Sequence, residues 1–350
     1  MKNVLISGFL ACCLSFNGFS ADEVSIKNKY NDEKILKIYK NNFRTFQGTL
    51  SSLDHKKIEI GFFKFENQNG FRGTLVISSG RAESTLKFIE MAEDFIEAGF
   101  NTVYVLDQRG QGLSTRLQKT SGPKDQNYEK VHLDKWNLMT DDLASFVNNE
   151  MLKHSKAPYV ALGHITGALP VVDYMQRVPG KQIFSKVVLV SPLFKLKTGK
   201  IEQFLFDGII SPLYGTFSDD SRVPFQEKKN QIGDCQNNNR THSSVRCELV
   251  KQTIKLVPES FSENSTVRWA NEIFKFQKNV LSNEKNPETP TLIVTAKNDE
   301  LLDNTTSEQF CQTKLGHCTY VEIEGSKHWV MFEKDEIRNR AFNSIINFLE

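Results

Sequence analysis

Apolar and polar positions along the chain fall into short apolar runs and longer stretches with a helical period. The apolar runs predict buried β-strands, at Thr74–Ser78, Thr102–Leu106, Tyr159–Gly163, Lys186–Ser191, Thr291–Ala296 and Thr319–Ile323. Helical patterns precede, separate and follow these runs. They lie near Glu33–Asn41, before Ala98, over Leu133–Leu152, from Thr166 to about Val178 and over Lys334–Leu349. The alternation predicts an α/β fold, with a mainly parallel sheet that carries helices on both faces.

One early strand has a different pattern. From Lys57 to Phe65 the residue types alternate, so that Ile58, Ile60 and Phe62 share one face. This period predicts a half-buried strand of an antiparallel hairpin, with its turn at Asn67–Gly70.

The alternation of strands and helices is interrupted between residues 194 and 286. Composition there is mixed, with an apolar patch at Phe204–Phe217 and a polar patch at Gln226–Ser244. We predict that residues 194–286 form a cap inserted over the sheet, between core segments at 21–193 and 287–350. A chain of 350 residues is long enough for one large domain with such an insertion.

The residues around Ile165 have the spacing of a nucleophile elbow, the sharp strand-to-helix turn that holds a reactive side chain above a parallel sheet. Gly163 and Gly167 stand two residues before and two residues after Ile165, where larger side chains would clash in a strained turn. Isoleucine has no group that attacks a carbonyl. Moving the apex to Thr166 would put His164 at a flanking position, and a histidine does not suit the tight turn.

Two more loops follow predicted strands at the edge of the sheet where such folds place their active groups. Asp299 follows the fifth apolar run and His328 follows the sixth. Each residue alone is also typical of a structural position. Together behind an elbow they have the order nucleophile, acid, histidine, in which Asp299 would orient His328 and His328 would accept a proton. Backbone N–H groups of Arg81 and Thr166 would form the oxyanion hole.

Composition and charge narrow the functional classes. The chain is 39% hydrophobic and 25% charged, which is typical of a folded protein. The formal net charge is +2 and no basic block of five or more occurs, which argues against a nucleic-acid partner. The Gly-rich segment Asp107–Ser114 lacks the lysine of a P-loop and the glycine spacing of a dinucleotide fingerprint, so it gives weak support for phosphate binding.

The N-terminus has the three parts of a secretory signal. Lys2 precedes the apolar stretch Val4–Phe16, and the small residues Gly18 and Ser20 follow it. We predict a signal peptide at residues 1–20 and an exported protein, periplasmic or secreted. The apolar stretch is too short to span a bilayer comfortably. A retained membrane anchor and lipidation at one of the two cysteines within the stretch are the alternatives.

Four cysteines lie beyond the predicted signal. An even number in an exported chain indicates disulfides, and the simplest pairs are Cys235–Cys247 and Cys311–Cys318. The alternative is a metal site. The spacings do not resemble Cys-x-x-Cys and no histidine pair accompanies them, so disulfides are favoured.

Several motifs in order resemble the lysophospholipase L2 and monoacylglycerol lipase group of α/β-hydrolases. They are the elbow together with Gly80–Ser84, Asp107–Ser114, Gly325–His328, Glu333–Arg338 and, in the cap, Thr266–Trp269, which is similar to the bacterial lysophospholipase branch. The resemblance covers roughly residues 45–350. It implies a serine hydrolase of single-chain glycerolipids with a helical cap that shapes an acyl pocket, and no metal or organic cofactor. It also implies that His328 is the base, Asp299 its partner and Ile165 the position of the serine.

Three functions are open at this point. The first is hydrolysis of lysophospholipid or monoacylglycerol, through Thr166 or through water activated by His328, with peripheral membrane contact through the cap. The second is a pseudohydrolase that binds a single-chain lipid or a protein partner, since loss of a triad serine lowers the rate on the order of a millionfold. The third is a structural role of the cap surface. Asp299 and His328 favour the first function, and Ile165 favours the second.

Overall fold

The computed structural model describes residues 23–117, 130–177, 182–197, 232–262 and 264–350. The predicted signal peptide lies outside these residues. So do the predicted helix end at Val178 and the apolar patch Phe204–Phe217 of the predicted cap.

Eight strands form one sheet in the order β1-β2-β4-β3-β6-β7-β9-β10, and β5 pairs with β8 in a separate short ribbon. In chain order the strands are β1 (Phe43–Gln47), β2 (Glu59–Glu66), β3 (Thr74–Ser78), β4 (Thr102–Leu106), β5 (Lys130–Val131), β6 (Tyr159–His164), β7 (Phe184–Val190), β8 (Asn264–Ser265), β9 (Thr291–Ala296) and β10 (Cys318–Ile323). Within the sheet, β2 is antiparallel to β1 and β4, and all other neighbours are parallel. The predicted, mainly parallel sheet is confirmed.

Helices follow most of the strands. They are α1 (Glu23–Lys29), α2 (Asp32–Asn42), α3 (Ile89–Glu97), α4 (Asn137–Phe146), α5 (Leu152–His154), α6 (Ala168–Arg177), α7 (Ser244–Leu256), α8 (Val267–Ser282), α9 (Asn304–Lys314) and α10 (Asp335–Leu349). A π-helical turn at Val147–Met151 joins α4 to α5. The helix predicted from Leu133 begins at Asn137, because β5 pairs with β8 and the Asp134 carboxylate binds Arg109 over 3.0 Å.

The helices cover both faces of the sheet, as predicted. One face packs against α1, α2, α3, α7 and α10, with Ile35, Phe95 and Phe342 among the buried residues. The other face packs against α4, α6, α8 and α9, with Phe146 and Phe276 among them. These apolar layers hold the strand ends in fixed positions, and the loops that leave those ends carry the candidate site.

The prediction of a hairpin turn at Asn67–Gly70 is wrong. Strand β2 pairs with β1 on one side and with β4 on the other. The turn leads from β2 to β3, and these two strands form no hairpin because they are not neighbours in the sheet. The strand is also buried on both faces, because Ile35 and Ile38 of α2 belong to the same apolar cluster as Phe63. The alternating pattern revealed one buried face, and the N-terminal helix that covers the other face has no signature within the strand.

Both predicted disulfides are present. Cys235 is bonded to Cys247 of α7, and Cys311 of α9 is bonded to Cys318 of β10. In the described part of the chain, no group of three or more His, Cys, Asp or Glu side chains is arranged to hold a metal ion. Among the described helices, none has the length and apolar character needed to cross a membrane.

Candidate active site

Ile165 occupies the apex of a tight turn between β6 and α6. Its φ angle is +54°, and a short 3₁₀ turn, Ile165–Gly167, leads into the helix. A positive φ is unusual for a β-branched residue, so the surrounding structure must hold the turn in place. The backbone N–H of Leu193, in the loop after β7, donates to the carbonyl oxygen of Ile165 over 3.0 Å and fixes the apex from one side.

The two flanking glycines are required by close backbone contacts. A Cβ atom on Gly163 would lie 2.5 Å from Cα of Ala168, and one on Gly167 would lie 2.0 Å from the carbonyl oxygen of Ser78. Both distances are far inside van der Waals contact, and both partners are backbone atoms. The residues around the apex thus have the geometry that the sequence spacing predicted for an elbow, with isoleucine at the apex.

Asp299 and His328 meet beside this turn. Asp299 lies in the loop after β9, His328 lies in the loop after β10, and His328 donates from Nδ1 to Oδ2 of Asp299 over 2.8 Å. The other carboxylate oxygen accepts the backbone N–H groups of Leu301 and Leu302 at 2.8 and 3.0 Å. The assignment of a proton to Nδ1 follows from this acceptor, and it leaves Nε2 as the ring nitrogen available for proton transfer.

The electrostatics keep Asp299 ionised. Burial alone would raise the pKa of this carboxyl group, but the His328 hydrogen bond and charge, with the two backbone donors, outweigh burial and lower the pKa below its ordinary value. The two loops are also tied to each other, because Asn298 donates its backbone N–H to the carbonyl oxygen of Ser326 over 2.9 Å. The neighbouring Asp303 acts elsewhere, since its side chain caps the first turn of α9.

A cavity of about 310 Å³ opens at the apex. Its lining includes Ile165, Thr166, Arg81 and His328, whereas Asp299 is not among the lining residues. The predicted oxyanion-hole residues and the predicted base therefore border one space, together with the apolar apex.

Most of the remaining lining is apolar and comes from α8 and from the loops after β7 and β9. These lining residues are Leu193, Leu196, Trp269, Ala270, Ile273, Phe274, Leu301 and Leu302. Gln277 of α8 anchors the helix, because its side-chain amide donates to the carbonyl oxygen of Leu193 over 2.9 Å. The described part of the predicted cap thus supplies an apolar wall to the cavity, suited to a hydrocarbon chain.

Sequence reasoning missed a buried ionised group in the lining of the cavity. Glu83 accepts hydrogen bonds from Lys87 Nζ at 2.5 Å, His164 Nδ1 at 2.7 Å and the backbone N–H of Gly80 at 2.7 Å. Burial opposes the charge of Glu83, but His164 and Lys87 hold its pKa well below the ordinary value. Burial lowers the pKa of His164, so its ring is neutral near pH 7.

The Gly-rich segment at 107–114 supports the same loop from the other side. Gln111 donates from its side-chain amide to the carbonyl oxygen of Gly80 over 2.6 Å. The Asp107 carboxylate accepts the backbone N–H groups of Thr85 and Leu113 at 2.8 and 2.7 Å. These hydrogen bonds stabilise the loop that follows β3. The segment thus has a structural role, and its match to phosphate-binding motifs is weak.

Comparisons with known proteins agree with this arrangement. Residues 70–335, more than half of the chain, match the family described as serine aminopeptidase, S33 (Hydrolase_4). Lysophospholipase L2 of Escherichia coli K12 is 28% identical over 307 residues, which are 83% of this chain and 84% of that protein. Probable lysophospholipase L2 of Haemophilus influenzae is 27% identical over 283 residues, 81% of this chain and 85% of that protein.

Solved structures share the fold. A soluble variant of monoglyceride lipase from Saccharomyces cerevisiae, in complex with a substrate analog, superposes with a TM-score of 0.62 at 18% identity, covering 88% of this chain and 95% of that chain. Monoacylglycerol lipase of Paleococcus ferrophilus superposes with a TM-score of 0.61 at 17% identity, covering 83% of this chain and 98% of that chain. With the elbow at Ile165 and the family match over residues 70–335, the chain belongs to the serine aminopeptidase S33 family of α/β-hydrolases and is similar to lysophospholipase L2.

Proposed function

We propose that the protein binds a single-chain glycerolipid in this cavity, with the lipid ester beside His328, and that hydrolysis by the serine route is blocked. The observation that carries the proposal is the Asp299–His328 hydrogen bond at the edge of a largely apolar cavity whose reacting position is Ile165. The names of the relatives, lysophospholipase and monoglyceride lipase, support a single-chain lipid as the ligand.

The proposed roles follow from the chemistry of each group. In this proposal His328 Nε2 is the base, Asp299 holds the ring in the required tautomer, and the backbone N–H groups of Arg81 and Thr166 would bind a developing oxyanion. With isoleucine at residue 165 no acyl-enzyme forms. The residual route is attack of a water molecule on the ester carbonyl carbon while His328 takes its proton. The ester C–O bond then breaks, and His328 returns the proton to the leaving glycerol oxygen.

Thr166 is a poor substitute for the missing serine. If Thr166 were the apex, His164 would occupy the first flanking position. His164 is fully buried and donates to Glu83, and its ring packs edge-on against Phe88 and Phe332 with centroid distances of 5.4 and 5.9 Å. The close backbone approaches also occur at Gly163 and Gly167, as an apex at residue 165 requires.

Two functions are compatible with this site, and each has its own support. Slow hydrolysis by activated water is favoured by the intact Asp299–His328 pair. Lipid binding without turnover is favoured by the apolar Ile165. We propose binding as the principal function, because binding needs only the cavity, whereas turnover by water lacks the covalent step that the elbow serves.

We also propose that the protein works outside the cytoplasm. The support is the signal-like N-terminus together with the two cysteine pairs, since disulfides persist in oxidising compartments.

One experiment separates the two functions. Dodecanoyl lysophosphatidylglycerol and dodecanoyl glycerol are titrated against the natural chain below their micelle concentrations. Binding is followed by tryptophan fluorescence, because Trp269 and Trp329 line the cavity, and fatty-acid release by mass spectrometry. We expect saturable binding of at least one lipid, and any hydrolysis should disappear in His328→Ala. No binding of either lipid would contradict the proposal.

A further inference from the structure

Two arginines border the cavity that holds Ile165. Arg81 lies in the loop after β3, and Arg240 lies in the segment that precedes α7. Each guanidinium packs over an indole ring that also lines the cavity, Arg81 over Trp269 and Arg240 over Trp329, at 5.6 Å from the ring centroid in both cases. Two cations therefore belong to the lining of a cavity whose other walls are mainly apolar.

The charge of Arg240 acts on Arg81, and both guanidinium groups are partly desolvated. Burial and the charge of Arg240 together lower the pKa of Arg81 to about 10, and burial lowers the pKa of Arg240 below its ordinary value. Both groups still carry a full charge near pH 7. Two like charges held together in a partly apolar space create a positive potential that an anion would relieve.

The only carboxylate among the described lining residues, whose charge favours the charged form of both arginines, offsets only one of the two positive charges. It belongs to Glu83, which already accepts bonds from Lys87 Nζ, His164 Nδ1 and Gly80 N. Three cations thus interact with this one carboxylate, namely Arg81, Lys87 and Arg240. The lining of the cavity has a positive balance even when Glu83 is counted in full.

Arg240 differs from the fully buried arginines of the described core. Arg109, Arg246 and Arg338 each make a direct ion pair, with Asp142 at 2.7 Å, with Glu90 at 2.8 Å and with Asp94. The guanidinium of Arg240 is half-buried and makes no hydrogen bond or ion pair with any residue that the structure describes. An arginine that only stabilised the fold would be expected to have such a partner.

We propose that Arg240, with Arg81, binds the phosphodiester of a single-chain phospholipid whose ester lies at His328. This inference rests on the proposed function and narrows its ligand from any single-chain glycerolipid to one that carries phosphate. A guanidinium binds phosphate oxygens through two parallel N–H donors. In a lysophospholipid a single glycerol unit separates the ester from the phosphorus. The loop that carries Arg81 also borders the apex, since a Cβ on Gly80 would lie 3.0 Å from Cβ of Ile165.

The test compares ligands that differ in the phosphate alone. The natural chain, Arg240→Met, Arg240→Lys and Arg81→Met are titrated with dodecanoyl lysophosphatidylglycerol and with dodecanoyl glycerol, using tryptophan fluorescence. Arg44→Met is the matched control, because Arg44 is exposed on the edge strand β1 and does not line the cavity. Glycerol 3-phosphate is titrated as well, to separate a lipid headgroup from a free phosphate ester.

We expect the natural chain to prefer the phospholipid. Arg240→Met should lower the affinity for the phospholipid about 10- to 100-fold, the range for a charge-assisted hydrogen-bonded pair. The affinity for dodecanoyl glycerol should not change. Arg240→Lys should lower the affinity for the phospholipid less than Arg240→Met does, and Arg81→Met should lower it by a similar amount. Arg44→Met should have the affinity of the natural chain. Melting temperatures verify that each variant is folded.

Other outcomes overturn the proposal. The phosphate site is refuted if both lipids bind with equal affinity and no arginine variant changes either affinity. That result would leave the proposal of lipid binding intact. Binding of glycerol 3-phosphate as tight as that of the phospholipid would show a site for a soluble phosphate ester. Failure of every variant and the natural chain to bind either lipid would refute the phosphate site together with the proposed function.

Discussion

His328 donates from Nδ1 to Oδ2 of Asp299 over 2.8 Å, although the two residues are 29 positions apart in the chain. They meet because β9 and β10 are parallel neighbours, so the loops that follow both strands leave the same edge of the sheet. The cavity beside them contains Ile165 where a nucleophile would act. In the proposed function, His328 is the base and Asp299 orients it, and the group that they would activate is absent.

Removal of the Asp299 carboxylate should affect turnover far more than binding. In the Ile165→Ser background, Asp299→Asn should lower kcat about 10⁴-fold, because the amide no longer fixes the Nδ1–H tautomer of His328. KM should change little. Steady-state kinetics with dodecanoyl lysophosphatidylglycerol measure both quantities. Asp303→Asn is the control, since Asp303 caps α9 and should leave kcat unchanged; equal losses in the two variants would contradict the role given to Asp299.

Gly167→Ala should destabilise the fold strongly, because the new Cβ would meet the carbonyl oxygen of Ser78 at 2.0 Å. We expect a loss of at least about 2 kcal/mol in the free energy of unfolding, measured by urea denaturation. Gly325→Ala is a suitable comparison, since no atom lies within 4 Å of its added Cβ and only its φ of +72° is unfavourable. That variant should lose about 1–2 kcal/mol. A Gly167→Ala variant as stable as the natural chain would contradict the tight turn.

Binding of an anionic lipid should weaken as the pH rises through about 8. Burial lowers the pKa of Lys87 to about 8, with Arg240 adding to the effect and Glu83 opposing it. Lys87 is charged below that pH and neutral above it, so one positive charge is lost near the cavity. The affinity for lysophosphatidylglycerol should fall by up to about 15-fold, which corresponds to the Coulomb energy of unit charges ~10 Å apart at an effective dielectric constant of ~20.

Two controls identify the group responsible for this pH step. Dodecanoyl glycerol is neutral and should show no step between about pH 7 and about pH 9, one unit either side of the pKa of about 8. The step should also disappear in Lys87→Gln, whose folding is verified by its melting temperature. His164 also faces Glu83, but its ring is already neutral in this window. An equal step for both lipids would contradict the assignment to Lys87.

The disulfide Cys235–Cys247 should contribute to stability, because it ties the segment before α7 to the buried side of that helix. The double variant Cys235→Ala with Cys247→Ala should lose about 2–3 kcal/mol, the range for a loop of similar length. Urea denaturation measures the loss. Peptide mapping of the oxidised, non-reduced protein should find Cys235 linked to Cys247 and Cys311 linked to Cys318; free thiols at all four positions would contradict the pairing.

Much of the fold could be predicted because its signals are local. The strands β3, β4 and β9 have the bounds that their apolar runs predicted, since each run is buried on both faces. The elbow was predictable because a tight turn needs small residues at fixed distances from Ile165, and the spacing is visible in the chain. Asp299 was accessible to the same reasoning, since it follows a predicted strand directly.

The remaining features depend on contacts between distant segments. Glu83 and His164 are 81 positions apart, and neither residue has a neighbour in the chain that indicates their hydrogen bond. The one local signal was the four-residue spacing of Glu83 and Lys87, whose side chains form an ion pair. Arg240 lies in a polar segment without a regular period, so its place beside the cavity could be found only from the tertiary structure.

The most direct test of the account is the activity of Ile165→Ser compared with Ile165→Ala. Ile165 is only partly buried and has a φ of +54°, so both variants should stay folded, with losses of about 1 kcal/mol or less. Each removes the same apolar bulk, and only one adds a hydroxyl group. We predict that Ile165→Ser hydrolyses dodecanoyl lysophosphatidylglycerol at least about 10³-fold faster than Ile165→Ala and is labelled by a fluorophosphonate probe. An Ile165→Ser variant that is folded, binds the lipid and is as inert as Ile165→Ala would contradict the claim that the site lacks only its nucleophile.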